Sequence, residues 1–195
     1  MVTYSAAAPP RVVVVTGVSR FLGARVASRL AADPRIERVV GLDPNEPPAE
    51  LAGLLDQVQL IRADARAATG AIDDLGAEAI VHLAVTGAPD PKHGGRAAMK
   101  EQNVIGTMQL IAAAQGTRRL RKLVVRSSTA AYGASFRDPG VFTEDTEPRA
   151  VPDGPFARDI LDIEGYVRGF RRRRPQVARR SCGSRPSSAR TRAPR

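Results

Sequence analysis

Apolar positions recur along this chain in two alternating rhythms. Arg11-Val12-Val13-Val14-Val15 is a β-branched run ending at Thr16-Gly17. It predicts a strand covered on both faces, as in a parallel sheet. Residues Phe21 to Ala32 then take helical spacing and stop at Asp33-Pro34. A second strand fits Glu37 to Leu42, closed by Asp43-Pro44, and a third fits Val58 to Ile61. A short helix is expected around Ile72 to Leu75, and Ala79 to Leu83 forms a fourth strand. One long amphipathic helix fits Arg96 to Gln115, a fifth strand Lys122 to Arg126, and a last helix Pro155 to Arg172. Strands alternating with helices predict an α/β architecture, a doubly wound parallel sheet with its ligand crevice at the carboxyl ends of the strands.

Composition narrows the class. At 195 residues, 43% hydrophobic and 26% charged, the chain suits one globular domain with a sizeable core. No apolar run approaches the ~20 residues of a membrane span, and the start MVTYSAAAPPR has no secretory pattern. A cytoplasmic location without membrane partners is expected. The lone Cys182 excludes an internal disulfide framework and a cysteine-cluster metal site. His93 has no second ligand near it in sequence, so no metal is assigned; His82, in an apolar strand, reads as a core histidine.

The net charge of +10 changes meaning once located. Residues 171–195 hold ten arginines and no acid, which leaves residues 1–170 with 20 basic and 20 acidic side chains. A nucleic-acid-binding domain carries its basic face within the fold. Here the body is neutral, so no nucleic-acid partner is expected, and Arg171 to Arg174 read as a solvated helix end.

The segment Thr16-Gly17-Val18-Ser19-Arg20-Phe21-Leu22-Gly23 lies between the first strand and first helix, where backbone N–H groups and the helix dipole suit a diphosphate. Gly17 permits a tight turn and Gly23 a close helix–strand approach. Asp43 stands twenty residues beyond Gly23, at the end of the second strand. There a carboxylate can accept from both adenosine ribose hydroxyls, which favours NAD over NADP. The same Asp-Pro pair is also an ordinary turn signal.

With these residues in place the sequence resembles the extended short-chain dehydrogenase/reductase family, the NAD-dependent nucleotide-sugar epimerases and dehydratases, over residues 11–178. TGVSRFLG is similar to the family's TGxxGxxG turn, and VVGLDPNEP to its strand-two end. RADAR resembles the segment that contacts adenine, VHLAV the fourth strand, KEQNVIGTMQLIAAA the helix after it, and LVVRSSTAAYG the fifth strand. The resemblance implies a Rossmann fold and cofactor contacts from Gly17, Arg20, Phe21, Leu22, Gly23, Asp43 and Asp64. It implies that Leu83, Ala84 and Val85 line the nicotinamide side, that Asn103 braces the sheet beside the cofactor, and that Ser128 is the catalytic Ser/Thr. The implied substrate is a nucleotide sugar, from which hydride is abstracted and then returned or followed by elimination.

Two departures stand out. Arg20 replaces the middle glycine of the turn, where its guanidinium either blocks the diphosphate or pairs with it. The alignment of PFARDILDIEGYV puts Phe156 at the family's tyrosine and Ile160 at its lysine, while Glu164 still matches. Phenylalanine has no titratable proton and isoleucine cannot lower a neighbour's pKa. The expected function is therefore an epimerase/dehydratase-like NAD protein without the usual pair. The alternative is a non-catalytic NAD(P)-binding sensor or scaffold.

The end of the chain reads differently. The sixth strand of the family starts here at Pro175-Gln176-Val177-Ala178 and gives way to RRSCGSRPSSARTRAPR. Shifted by one base, GC-rich codons for the run from Ser181 can spell LRFAPFIGPD, a strand followed by Gly-Pro. The expectation is a Rossmann domain over 11–178, lacking its last strands and the C-terminal substrate domain. Residues 179–195 would be a disordered, frameshifted basic tail, and the open edge would favour aggregation or a homodimer.

Overall fold

The computed structural model describes residues 8–63, 72–132, 141 and 153–182, the last five for their backbone only. Its elements are β1 (Val12–Thr16), α1 (Phe21–Ala31), β2 (Arg38–Asp43), α2 (Ala49–Ala52), β3 (Gln59–Arg62) and β4 (Ala79–His82). They continue with α3 (Gly95–Lys100), a π-helical turn (Glu101–Ile105), α4 (Gly106–Gly116), β5 (Lys122–Arg126), α5 (Pro155–Arg173) and β6 (Ala178–Cys182). All strand pairs are parallel, in the order β3-β2-β1-β4-β5-β6. The order in which strands are added switches sides between β1 and β4, so the crevice opens there, at the carboxyl ends.

The valine run of β1 explains the layering. Val13 and Val15 bury into one core with Val18, Ala24, Ala27, Val39 and Leu83. Val14 buries into the other with Val40, Ile80, Leu110, Leu123, Ile160 and Phe170. Alternating side chains leave opposite faces of a strand, so a strand with helices on both sides must be apolar throughout.

The expected helix over 96–115 is interrupted by the π-helical turn at Glu101–Ile105, which no apolar spacing announced. Arg174 also departs from the solvated helix end: its Nη1 donates to the carbonyl oxygens of Gln115 (2.6 Å) and Thr117 (3.2 Å) at the end of α4. A guanidinium is well suited to the unpaired carbonyls of a helix C-terminus.

The sheet does not end at β5, as the sequence reading had it. Lys122 through Arg126 pair in parallel register with Ala178 through Cys182. Strand pairing uses main-chain groups that every non-proline residue carries, and an edge strand tolerates charged side chains. A polar, arginine-rich composition therefore does not prevent a sixth strand. Among the described residues no helix is long and apolar enough to cross a membrane.

His82 links the sheet to its helical layer. Its Nδ1 lies 2.7 Å from Thr16 Oγ1 and its Nε2 lies 2.8 Å from Thr107 Oγ1. A neutral imidazole has one donor and one acceptor nitrogen, which two hydroxyls satisfy. Burial lowers its pKa from 6.5 to about 4. The unfolded chain thus binds a proton in this window that the folded chain refuses. Stability is complete above pH 6.5 and falls as the pH drops towards 4, by about 3 kcal/mol from this group. Urea unfolding at intervals between pH 7.5 and 4.5 is expected to show that slope, and His82→Gln should flatten it above pH 5.

Candidate dinucleotide site

The turn after β1 is built by two glycines. Gly17 has φ +80°, and a Cβ there would lie 2.8 Å from the amide nitrogen of Ala84. Its own N–H donates to the Leu42 carbonyl oxygen at 3.1 Å. A Cβ on Gly23 would overlap the Gly17 carbonyl oxygen and come within 2.5 Å of its carbonyl carbon. The two residues thus lock the turn, the start of α1 and the end of β4 into contact. The first amides of α1, at Phe21 and Leu22, meet no backbone acceptor among the described residues, as helix geometry requires. Phe21 is 68% exposed and Leu22 is exposed beside it, so the approach to these donors is open, and this region fits a diphosphate.

Arg20, just before α1, leaves that approach clear. Its Nη2 donates to Gln102 Oε1 at 3.3 Å, across to the π-helical turn. The arginine that replaces the middle glycine is drawn sideways in this state.

Asp43 is buried at the carboxyl end of β2. Its Oδ2 accepts from Ser19 N–H (3.0 Å) and from Ser19 Oγ (2.7 Å), and its Oδ1 accepts from Asn45 N–H (3.0 Å). The carboxylate holds the turn, the role sequence left open beside ribose binding. Asp64 lies outside the described residues.

Leu83 and Val85 bury into opposite cores, so the segment after β4 offers mainly its backbone and Ala84 to the crevice. Asn103 is fully buried. Its amide donates to Thr86 O and accepts from Thr86 N–H, both at 2.9 Å, and reaches Asp159 Oδ2 at 3.2 Å. It braces the loop after β4 against α5, and its amide is fully occupied within the protein.

Beyond β5, Ser128 Oγ accepts from Ala130 N–H at 3.2 Å, a turn-forming bond. Ser127 Oγ donates to Glu164 Oε1 at 2.6 Å, which accounts for Glu164. Phe156 packs partly buried against the core, its ring 3.7 Å from where a Cβ on Gly87 would stand. Ile160 is wholly buried. Both side chains belong to the hydrophobic layer.

Sequence reasoning missed three participants. Asp159, next to Ile160 and buried, accepts from Arg96 through two bonds of 2.9 and 2.6 Å. Arg96 also donates to the Pro155 carbonyl oxygen at 3.0 Å. Arg126 Nη1 donates to the Val85 carbonyl oxygen at 2.9 Å. Charged residues far apart in sequence carry no pairing signal, and only an unexplained acid in an apolar helical stripe could have pointed to Asp159.

A parallel sheet whose strand order switches sides between β1 and β4, a glycine-locked turn before α1 and an acid at the end of β2 define a dinucleotide-binding domain of the Rossmann type. Residues 13–184 match the model of the NAD-dependent epimerase/dehydratase family, and the chain belongs to that family. An uncharacterised protein of Mycobacterium tuberculosis is 42% identical over 171 residues, which cover 87% of this chain and 45% of the relative. The structure resembles the UDP-glucuronic acid 4-epimerase of Bacillus cereus solved with NAD (TM-score 0.66, 22% identity, 83% of this chain and 52% of that one). It also resembles the UDP-Glc/GlcNAc 4-epimerase of Campylobacter jejuni (TM-score 0.72, 18% identity, 87% of this chain and 52% of that one). The chain thus spans about half the length of the proteins it matches.

Proposed function

We propose that this chain binds NAD across the carboxyl ends of β1, β2 and β4 and holds it without the family's tyrosine–lysine proton relay. The observation that carries the reading is the interlock of Gly17, Gly23 and Ala84, which leaves the amides of Phe21 and Leu22 open for the diphosphate. Asp43 would exchange part of its bonding to Ser19 for the adenosine ribose hydroxyls, and its charge disfavours a 2′-phosphate, so NAD is preferred to NADP. Arg20 would turn from Gln102 towards the phosphates, since an anion is a stronger partner than a neutral amide. Bound NAD supplies hydride acceptance. The residues around it hold and orient it, but Phe156 and Ile160 move no proton. This supports a sensor or scaffold role.

Turnover of a nucleotide sugar is the second reading, favoured by the Bacillus cereus epimerase solved with UDP-glucuronic acid and NAD. Ser128 would then hydrogen-bond the reacting hydroxyl, with another base or water taking the proton.

Calorimetric titration with NAD and NADP, beside absorbance at the reduced-nicotinamide band on adding UDP-sugars, separates these outcomes. Binding of NAD with no hydride transfer is expected, and Asp43→Ala should weaken it about tenfold or more. A folded chain that binds neither dinucleotide overturns the proposal; reduction of bound NAD by a UDP-sugar favours the second reading.

A further inference from the structure

Arg126 ends β5 with a permanent positive charge, because a guanidinium keeps its proton in proteins. Its Nη1 bond to Val85 O lays the guanidinium from the end of β5 towards the segment following β4. The side chain is half-buried, so water screens it less than it would a surface charge.

No carboxylate among the described residues pairs with Arg126. Glu164, the acid bonded to the neighbouring Ser127, gives one oxygen to that hydroxyl and has the other 3.7 Å from Arg168. Asp159 is taken by Arg96 and Asn103. His82, one strand over and paired in register with Val125, is held neutral by burial. Among the described residues, Arg126 thus stands at the β4–β5 end of the crevice as a cation without a carboxylate partner.

Oxidised and reduced NAD share their adenosine diphosphate half and differ in the charge of the ring: the oxidised ring is cationic and the reduced ring neutral. Resting on the reading of the crevice as a dinucleotide site, we infer that Arg126 makes this site selective for the reduced cofactor. A fixed positive charge at the ring end penalises only the oxidised form, while the amides, Asp43 and Arg20 treat both alike. Such a site reports the redox state of the dinucleotide pool without consuming it.

The test is titration of the full chain and its Arg126→Met variant with NADH, NAD and ADP-ribose, the last lacking the nicotinamide. The wild-type chain should bind NADH about tenfold or more tightly than NAD. Arg126→Met should bring the two within about threefold by strengthening NAD, with ADP-ribose affinity unchanged, and Arg126→Lys should keep the preference. Thermal melts show whether each variant remains folded; if Arg126→Met does not, the Arg126→Gln variant provides the same comparison. Equal wild-type affinities, or a preference that survives removal of the charge, overturn the inference while ADP-ribose binding upholds the cofactor reading. A folded chain that binds none of the three overturns both.

Discussion

Gly23→Ala is expected to destabilise the domain by about 3 kcal/mol or more and to abolish NAD binding. The added methyl group would overlap the Gly17 carbonyl oxygen and sit 2.5 Å from its carbonyl carbon. Those are backbone atoms, so no rotamer change relieves the clash. Either α1 moves off β1, exposing Ala24 and Ala27, or the turn opens and loses the Gly17 bond to Leu42. Urea midpoints and NAD calorimetry check this together. A variant with the wild-type midpoint and affinity would mean the helix can shift at little cost, and the interlock would not be what shapes the site. Gly53, whose Cβ would meet nothing within 4 Å, is the control, and alanine there should cost less than about 1 kcal/mol.

Asp159→Ala is expected to cost about 2 to 3 kcal/mol, below the range for a fully buried ion pair, because the Arg96 left behind is 34% exposed and keeps its bond to Pro155. The carboxylate is 2% exposed and takes two bonds from Arg96 and one from Asn103. Its loss strands a guanidinium and an amide donor at the junction of α3, the π-helical turn and α5. Asn103 then holds Thr86 less firmly, so the loop after β4 should loosen as well. Urea unfolding measures the first effect, and amide exchange at Thr86 the second. Replacing Arg96 and Asp159 together by Met and Leu should recover much of the loss, because the unpaired charge disappears with its partner. If the double variant is as unstable as Asp159→Ala, the damage lies in packing rather than in the ion pair.

The division between what was legible and what was not follows the range of each interaction. The valine run, the Asp33-Pro34 stop and the Thr16-to-Gly23 turn are local, and their strand, helix and turn formed within a residue or two of expectation. The fifth strand at Lys122–Arg126 matched its expected bounds. That the Asn103 amide is consumed by Thr86 and Asp159 required three segments to meet. The π-helical turn escaped notice because one extra residue in a helical turn barely alters apolar spacing. The sixth strand escaped for the opposite reason: its composition argued against it, while main-chain pairing along an open edge made side-chain polarity secondary.

The sequence alone determined the alternation of strands and helices, the glycines at the turn, the acid closing β2, and the apolar character of Phe156 and Ile160. These are matters of steric allowance and chemical capacity, which a residue carries wherever it sits. Tertiary structure decided where the charges find partners: Arg20 with Gln102, Arg96 with Asp159, Arg174 with the end of α4, and Arg126 with a carbonyl oxygen and, among the described residues, no acid. Electrostatic pairing depends on distance and burial through space, and neither is encoded in the spacing of residues along the chain.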